Sequence, residues 1–260
     1  MGTILRQQGA TDLHLPEPLG ASYTSRLMTQ PDRPSVTVVI PVHNEAAFLP
    51  GALPRLFDEL EHVDADVVVL VAENGSTDGT ADLVRTAMAE YATLDLLELP
   101  TPDYGAAMRD GFLMADSEWV ANFDIDYFSG EFLSRALALT DSADIVLASK
   151  RAEGADDQRA VIRRFATWTF NQLLKFALSS GVSDTHGMKL VRRTVVTDIA
   201  PQVISTTDLF DTELVVRAER AGYRVAELPA SVEELRESKS NLVKRVPRTL
   251  TGVWRIRRSL

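Results

Sequence analysis

The chain contains no cysteine. Disulfides and thiolate metal sites are therefore excluded, and the fold does not depend on redox state, which fits the cytosol. No apolar run approaches the roughly 18 residues needed to span a bilayer; the longest have the length of short strands. The opening residues, Met1 to Arg6, lack the apolar stretch of a signal peptide. Internal repeats and low-complexity tracts are absent. No G-x-G-x-x-G follows the first strand-like run, and no P-loop occurs, so neither of these phosphate-binding fingerprints is available. Acidic residues are missing from the end of the sequence: Lys239 to Leu260 holds seven Lys/Arg and no Asp/Glu.

What is present is an ordinary soluble composition on an acidic body. The 260 residues are 45% hydrophobic and 25% charged, enough for one large α/β domain or one domain with an appendage. Net charge is −10. Because the basic end hides a stronger acidic excess elsewhere, nucleic acid is a poor match, its binders being basic overall. The basic end suits anionic lipid better. The expected location is the cytoplasm, with peripheral contact at the inner face of the membrane.

Residues 1–34, with Pro16, Pro18, Pro31 and Pro34, read as an N-terminal arm. Residues 35–240 read as the main domain, with halves at 35–130 and 131–240, and residues 241–260 as a basic amphipathic tail. Strands are expected at Val36–Ile40, Val67–Val71, Leu94–Leu99, Trp119–Phe123, Asp144–Ser149 and Arg224–Leu228. Helices are expected at 45–60, 80–91, 105–116, 163–179 and 211–221. Such alternation, with continuous apolar strands, predicts an α/β fold with a mostly parallel central sheet flanked by helices. In the tail, Leu242, Val246, Leu250 and Val253 make an apolar stripe at helical spacing, and Pro247 is expected to break that helix or to begin it.

The stretch with the most chemistry is Phe123-Asp124-Ile125-Asp126-Tyr127. Residues i and i+2 of an extended segment point the same way, so Asp124 and Asp126 would share one spot beyond a strand end. Two like charges that close repel unless a cation or a shared proton intervenes. Oxygen-only ligands suit Mg²⁺ or Mn²⁺ on a diphosphate; alone, the pair also reads as two solvated loop acids. Upstream, Pro41-Val42-His43-Asn44-Glu45 follows the first strand, and Glu73-Asn74-Gly75-Ser76-Thr77-Asp78-Gly79 the second. Glu45 and Glu73 suit hydrogen bonds from ribose hydroxyls or base N–H groups. Each turn also reads as an ordinary strand-to-helix connection, with Ser76 or Thr77 as an N-cap.

The combination P-V-H-N-E, E-N-G-S-T-D-G-T, Tyr104-Gly105-Ala106-Ala107 through Gly111, and F-D-I-D resembles the inverting family 2 glycosyltransferases of GT-A fold. The likeness runs from about Val36 to Arg248. Within that family the chain is most similar to the dolichyl- or polyprenyl-phosphate sugar synthases. Three segments carry this: Asp184-Thr185-His186-Gly187-Met188-Lys189, Phe210-Asp211-Thr212-Glu213-Leu214, and Arg236-Glu237-Ser238-Lys239-Ser240. They resemble the subgroup's D-x-x-G-F-[RK], F-[DE]-x-E-[LI] and R-x-x-x-S-K segments, the last offset by a residue or so.

The resemblance implies a Rossmann-like nucleotide-sugar half and an acceptor half. It implies that Pro41, His43, Glu45, Glu73 and Asn74, with Asp124, bind the nucleotide-sugar donor, GDP-mannose or UDP-glucose. Asp124 and Asp126 would hold the metal, and Lys150, Arg151, Arg163 and Arg236 would grip an acceptor phosphate. Asp184 is the carboxylate the motif offers as a general base. Glu73-Asn74 replaces the family's paired aspartates, Ala106 replaces a common lysine, and His186 stands where a small residue is usual. Two other readings stay open: transfer to a soluble or glycan hydroxyl, and a nucleotide-binding module without turnover.

Overall fold

Val36, Val38 and Ile40 point to one side of an extended run and Val39 to the other, and all four are fully buried. A strand apolar on both faces needs cover on both, and the chain supplies helices for each. A computed structural model describes residues 33–149, 187–205, 209–229 and 242–260, with the backbone alone over 242–250.

In chain order the elements are β1 (Ser35–Val42), α1 (Leu49–Glu61), β2 (Asp66–Asn74), α2 (Thr80–Ala87), β3 (Leu94–Leu99), α3 (Tyr104–Met114) and β4 (Trp119–Asn122). There follow α4 (Gly130–Leu137), β5 (Ile145–Ser149), β6 (Lys189–Arg192), α5 (Arg193–Ile199), a 3₁₀ turn (Ala200–Gln202), α6 (Phe210–Arg220), β7 (Val225–Pro229) and α7 (Leu242–Ser259). The described strands form one sheet in the order β3-β2-β1-β4-β6-β5-β7. β1 pairs in parallel with both β2 and β4, β2 with β3, and β5 with β7; β6 alone runs antiparallel, between β4 and β5. The expected α/β fold with a mostly parallel sheet is therefore present.

Each face has its own core. Val36, Val38 and Ile40 pack with Leu49, Leu56, Val84, Phe132 and Leu133, from α1, α2 and α4. Val39 and Leu70 pack with Met108, Phe112, Val195, Phe210 and Leu214, from α3, α5 and α6. Thr37, a buried polar residue within β1, is satisfied by a 2.8 Å hydrogen bond to buried Ser117.

Several boundaries differ from the sequence pattern. Residues 45–48 form a turn closed by the Phe48 and Leu49 N–H groups on the Glu45 carbonyl, and α1 starts four residues later than expected. Pro50 then sits in the first turn, where its missing N–H costs nothing. α4, capped by the Ser129 hydroxyl on the Phe132 N–H, and the four-residue β6 had no counterpart in the sequence pattern. The tail helix runs from Leu242 through Pro247 to Ser259, so the proline neither ends nor begins it.

The tail helix is docked. Val253 and Ile256 are buried against Leu209 and Val216, and Arg217 reaches the Ser259 hydroxyl at 2.7 Å. Gly252 faces Leu209 so closely that a Cβ would stand 2.3 Å from its Cδ1. Trp254 is left 55% exposed, with Arg258 stacked on its ring at 3.9 Å. Among the described residues, no helix is long and apolar enough to cross a membrane.

Candidate active site

Chain order and sheet order part company at β1. From β1 the chain steps outward to β2 and β3, then returns to lay β4 on the other side of β1. In open α/β sheets that reversal leaves a crevice beyond the carboxyl ends of the two diverging strands, and ligands bind there. Here the crevice lies after Val42 and after Asn122, where the P-V-H-N-E and F-D-I-D segments emerge.

The β1 and β2 loops are stitched together. His43 Nδ1 lies 2.7 Å from the Asn74 carbonyl, which only accepts, so Nδ1 carries the proton and Nε2 accepts from the Asn44 amide at 3.0 Å. Asn44, held at a left-handed φ of 54°, donates its N–H to the Ser76 hydroxyl and accepts from the Thr77 N–H with its side chain. The Glu45 N–H bonds to the Thr80 hydroxyl, and the Ala46 N–H to Asp78. Hydrogen bonds, first among them that from the Thr80 side chain, hold the Asp78 carboxyl below its ordinary range. Ser76 and Thr77 thus serve the neighbouring loop instead of capping α2, whose N-cap is Gly79.

Glu73 and Asn74 close the inner wall of this rim. Both are buried. Glu73 Oε1 accepts from the Ser76 N–H, and Asn74 Oδ1 from the N–H of Asp103, the residue whose own side chain caps α3 on Ala106. Gly75 makes the approach possible. Its φ is +62°, and a Cβ there would stand 2.8 Å from the backbone of Thr101 and Pro102.

Asp124 and Asp126 come from a tight turn, not from a continuing strand. β4 stops at Asn122, and the backbones of Asp124 and Tyr127 exchange N–H···O bonds of 3.1 and 3.0 Å. Both acids are half-buried on either side of the buried Ile125. Pairing of Val39 with Asn122, and of the Phe123 N–H with the Val39 carbonyl, sets this turn beside the end of β1. Thus Pro41, His43, Glu45, Glu73, Asn74, Asp124 and Asp126 gather along one edge of the sheet. Asp184, His186, Lys150, Arg151, Arg163 and Arg236, and the expected helix over 163–179, lie outside the described residues.

Sequence reasoning quoted Lys189 and Asp211 inside motifs without giving them work. Lys189 Nζ, fully buried, donates to Asp211 Oδ1 (2.8 Å), Asn122 Oδ1 (2.6 Å) and the Gly187 carbonyl (2.8 Å). Asp211 Oδ2 accepts from the Tyr104 hydroxyl at 2.9 Å. The sequence carried no signal for them, since Lys189 opens the four-residue Lys-Leu-Val-Arg strand, which has no readable period. Glu213, quoted in the same motif as Asp211, binds Arg217 at 2.7 Å and the Ile204 and Ser205 N–H groups.

A rim of polar loop groups beside an acidic turn, at the switch point of a mostly parallel sheet, marks a ligand-binding crevice. Residues 37–199 match the model of glycosyl transferase family 2, and the chain belongs to that family. It is 30% identical over 214 residues to the undecaprenyl-phosphate mannosyltransferase of Micrococcus luteus, covering 78% of this chain and 86% of that one. It is 28% identical to a dolichyl-phosphate beta-glucosyltransferase of Trichomonas vaginalis, covering 82% and 68% respectively. Its fold matches glucosyl-3-phosphoglycerate synthase of Mycobacterium tuberculosis, solved with Mn²⁺, UDP-glucose and phosphoglyceric acid, at TM-score 0.64 and 15% identity, covering 86% and 79%. The fold is GT-A and the protein is a glycosyltransferase.

Proposed function

We propose that the protein moves a hexose, with inversion, from GDP-mannose or UDP-glucose to a polyprenyl phosphate, with Mg²⁺ or Mn²⁺ on the donor diphosphate. The observation that carries this reading is the acidic turn Asp124–Tyr127 standing beside the stitched β1 and β2 loops at the switch point. The relatives named for lipid-phosphate acceptors point the same way.

Asp124 and Asp126 fit the metal as two hard oxygen ligands. Among the described residues no group of three or more His, Asp or Glu could hold an ion, so diphosphate and water oxygens would complete the shell. A bound divalent ion there stabilises the charge that develops on the leaving nucleoside diphosphate. The rim of His43, Glu45, Glu73 and Asn74 would seat the nucleoside, with the carboxylates accepting from its N–H and hydroxyl groups. A phosphate acceptor is already anionic at neutral pH and needs steering more than deprotonation, the work assigned to Lys150, Arg151, Arg163 and Arg236. Asp184 would take the proton from a hydroxyl acceptor instead. Peripheral membrane contact would use Trp254 and the exposed arginines of α7, because Val253 and Ile256 are spent on the protein itself.

The experiment is transfer of labelled sugar from a panel of nucleotide sugars, with Mn²⁺ or Mg²⁺, into extractable polyprenyl phosphate. A labelled lipid that disappears with chelator is expected. Asp126→Ala should cut turnover about a thousandfold, corresponding to roughly 4 kcal/mol of lost transition-state stabilisation, with a thermal midpoint close to wild type. Full activity in that variant overturns the metal assignment. Metal-dependent donor hydrolysis without lipid product would move the acceptor to a hydroxyl. Nucleotide binding with no donor consumed would leave a module without turnover.

A further inference from the structure

The ammonium of Lys189 is fully buried, a costly place for a charge. It spends its three N–H groups on three acceptors, one of them a carboxylate that is itself 3% exposed. Desolvating two such charges consumes most of what their attraction returns, and an apolar pair of similar volume would hold the fold about as well. What the charges add is direction, because each hydrogen bond fixes a partner atom in place.

The partners surround the site. Asn122 ends β4, two residues before Asp124, and its Nδ2 donates to the Phe123 carbonyl at 3.3 Å. Gly187 has a φ of +104°, and a Cβ there would sit 3.7 Å from the ring of Tyr127, the residue that closes the acidic turn on Asp124. On the other side, Asp211 accepts from Tyr104 at the first position of α3, next to Asp103, whose N–H is held by Asn74. One charge thus ties the acidic turn to the inner wall of the donor rim.

We propose that Lys189 is a positioning residue which, through Asn122 and Gly187 on one side and Asp211 and Tyr104 on the other, holds the Asp124–Asp126 turn in register with the donor rim. The proposal rests on reading Asp124 and Asp126 as the metal pair. Lys189 touches neither substrate nor metal in this account; it sets where the carboxylates stand.

The test is the double variant Lys189→Met/Asp211→Asn, which removes both charges and leaves none buried alone. Three quantities are measured: the thermal midpoint, Mn²⁺ affinity by electron paramagnetic resonance with UDP or GDP present, and the steady-state constants for transfer. The expected result is a midpoint within a few degrees of wild type, Mn²⁺ binding at least fivefold weaker, kcat at least tenfold lower, and donor KM little changed. Wild-type Mn²⁺ affinity in the folded double variant overturns the proposal, as do losses that follow stability alone. Tyr104→Phe removes one hydroxyl and guards against a double variant that does not fold; two- to threefold weaker Mn²⁺ binding is expected, and an unchanged value overturns the link through α3. If the wild-type protein transfers no sugar, the functional reading fails, and the Mn²⁺ affinities still decide the positioning role. If the wild-type protein binds no Mn²⁺ with either nucleotide, both fall.

Discussion

The two ends of the sheet are held by different means. β1 and β2 are apolar along most of their length, and the loops beyond them are joined by hydrogen bonds between side chains and backbone: Asn44 with Ser76 and Thr77, Glu45 with Thr80, His43 with Asn74. Around β6 and α6 the structure relies on charges buried in pairs, Lys189 with Asp211 and Glu213 with Arg217. A loop network made of many weak neutral bonds tolerates the loss of one. A buried ion pair does not, since each partner is left uncompensated when the other goes.

That contrast is sharpest at Glu213, which is fully buried and serves two backbone N–H groups and a largely buried arginine. Glu213→Ala is expected to cost about 3–5 kcal/mol in urea unfolding, while nucleotide affinity of the remaining folded protein stays unchanged. A comparable loss of nucleotide affinity would show that the two ends are not independent. At the other end, Gly75→Ala forces a Cβ against the Thr101–Pro102 backbone at a positive φ. The expected cost is smaller, about 2 kcal/mol, but nucleotide binding should weaken with it because the rim must shift.

The smallest effect is expected at Asp144. Arg224 holds its carboxyl down to about 2, from an ordinary 3.8, with Arg192 adding to the effect. Because the folded carboxyl titrates below the unfolded one, its contribution is full above about pH 4 and is lost as the pH falls towards 2. Arg224 is 54% exposed, so solvent screens the pair, leaving about 1 kcal/mol at neutral pH. Asp144→Asn should show that deficit at pH 7 and none near pH 2, measured by thermal unfolding across pH.

Legibility followed the same division. β1 and β2 could be read because a parallel strand buried on both faces is a continuous β-branched run, and β3, at the sheet edge, from its leucines alone; each was found within a few residues of its expected place. α1 was misjudged at its start because Glu45 to Phe48 carry helical composition but fold as a turn before Pro50. β6 escaped notice because four residues contain no period, and its antiparallel place between β4 and β5 is a property of the whole sheet. The end of the chain was legible as an amphipathic helix; which surface its apolar side meets was not, and Leu209 and Val216 take it.

The sequence by itself determined the alternation of strands and helices, the acidic pair after the fourth strand, and the resemblance that led to the family. These are local, set by periodicity and by residue types a few positions apart. The tertiary structure alone decided that Ser76 and Thr77 serve Asn44, that Glu213 anchors a loop, and that Lys189 joins β4 to α3 through Asp211. Those partners lie from eight to 107 residues apart in the chain; the fold brings them together, and for Lys189, Asp211 and Glu213 burial makes an unpaired polar group costly.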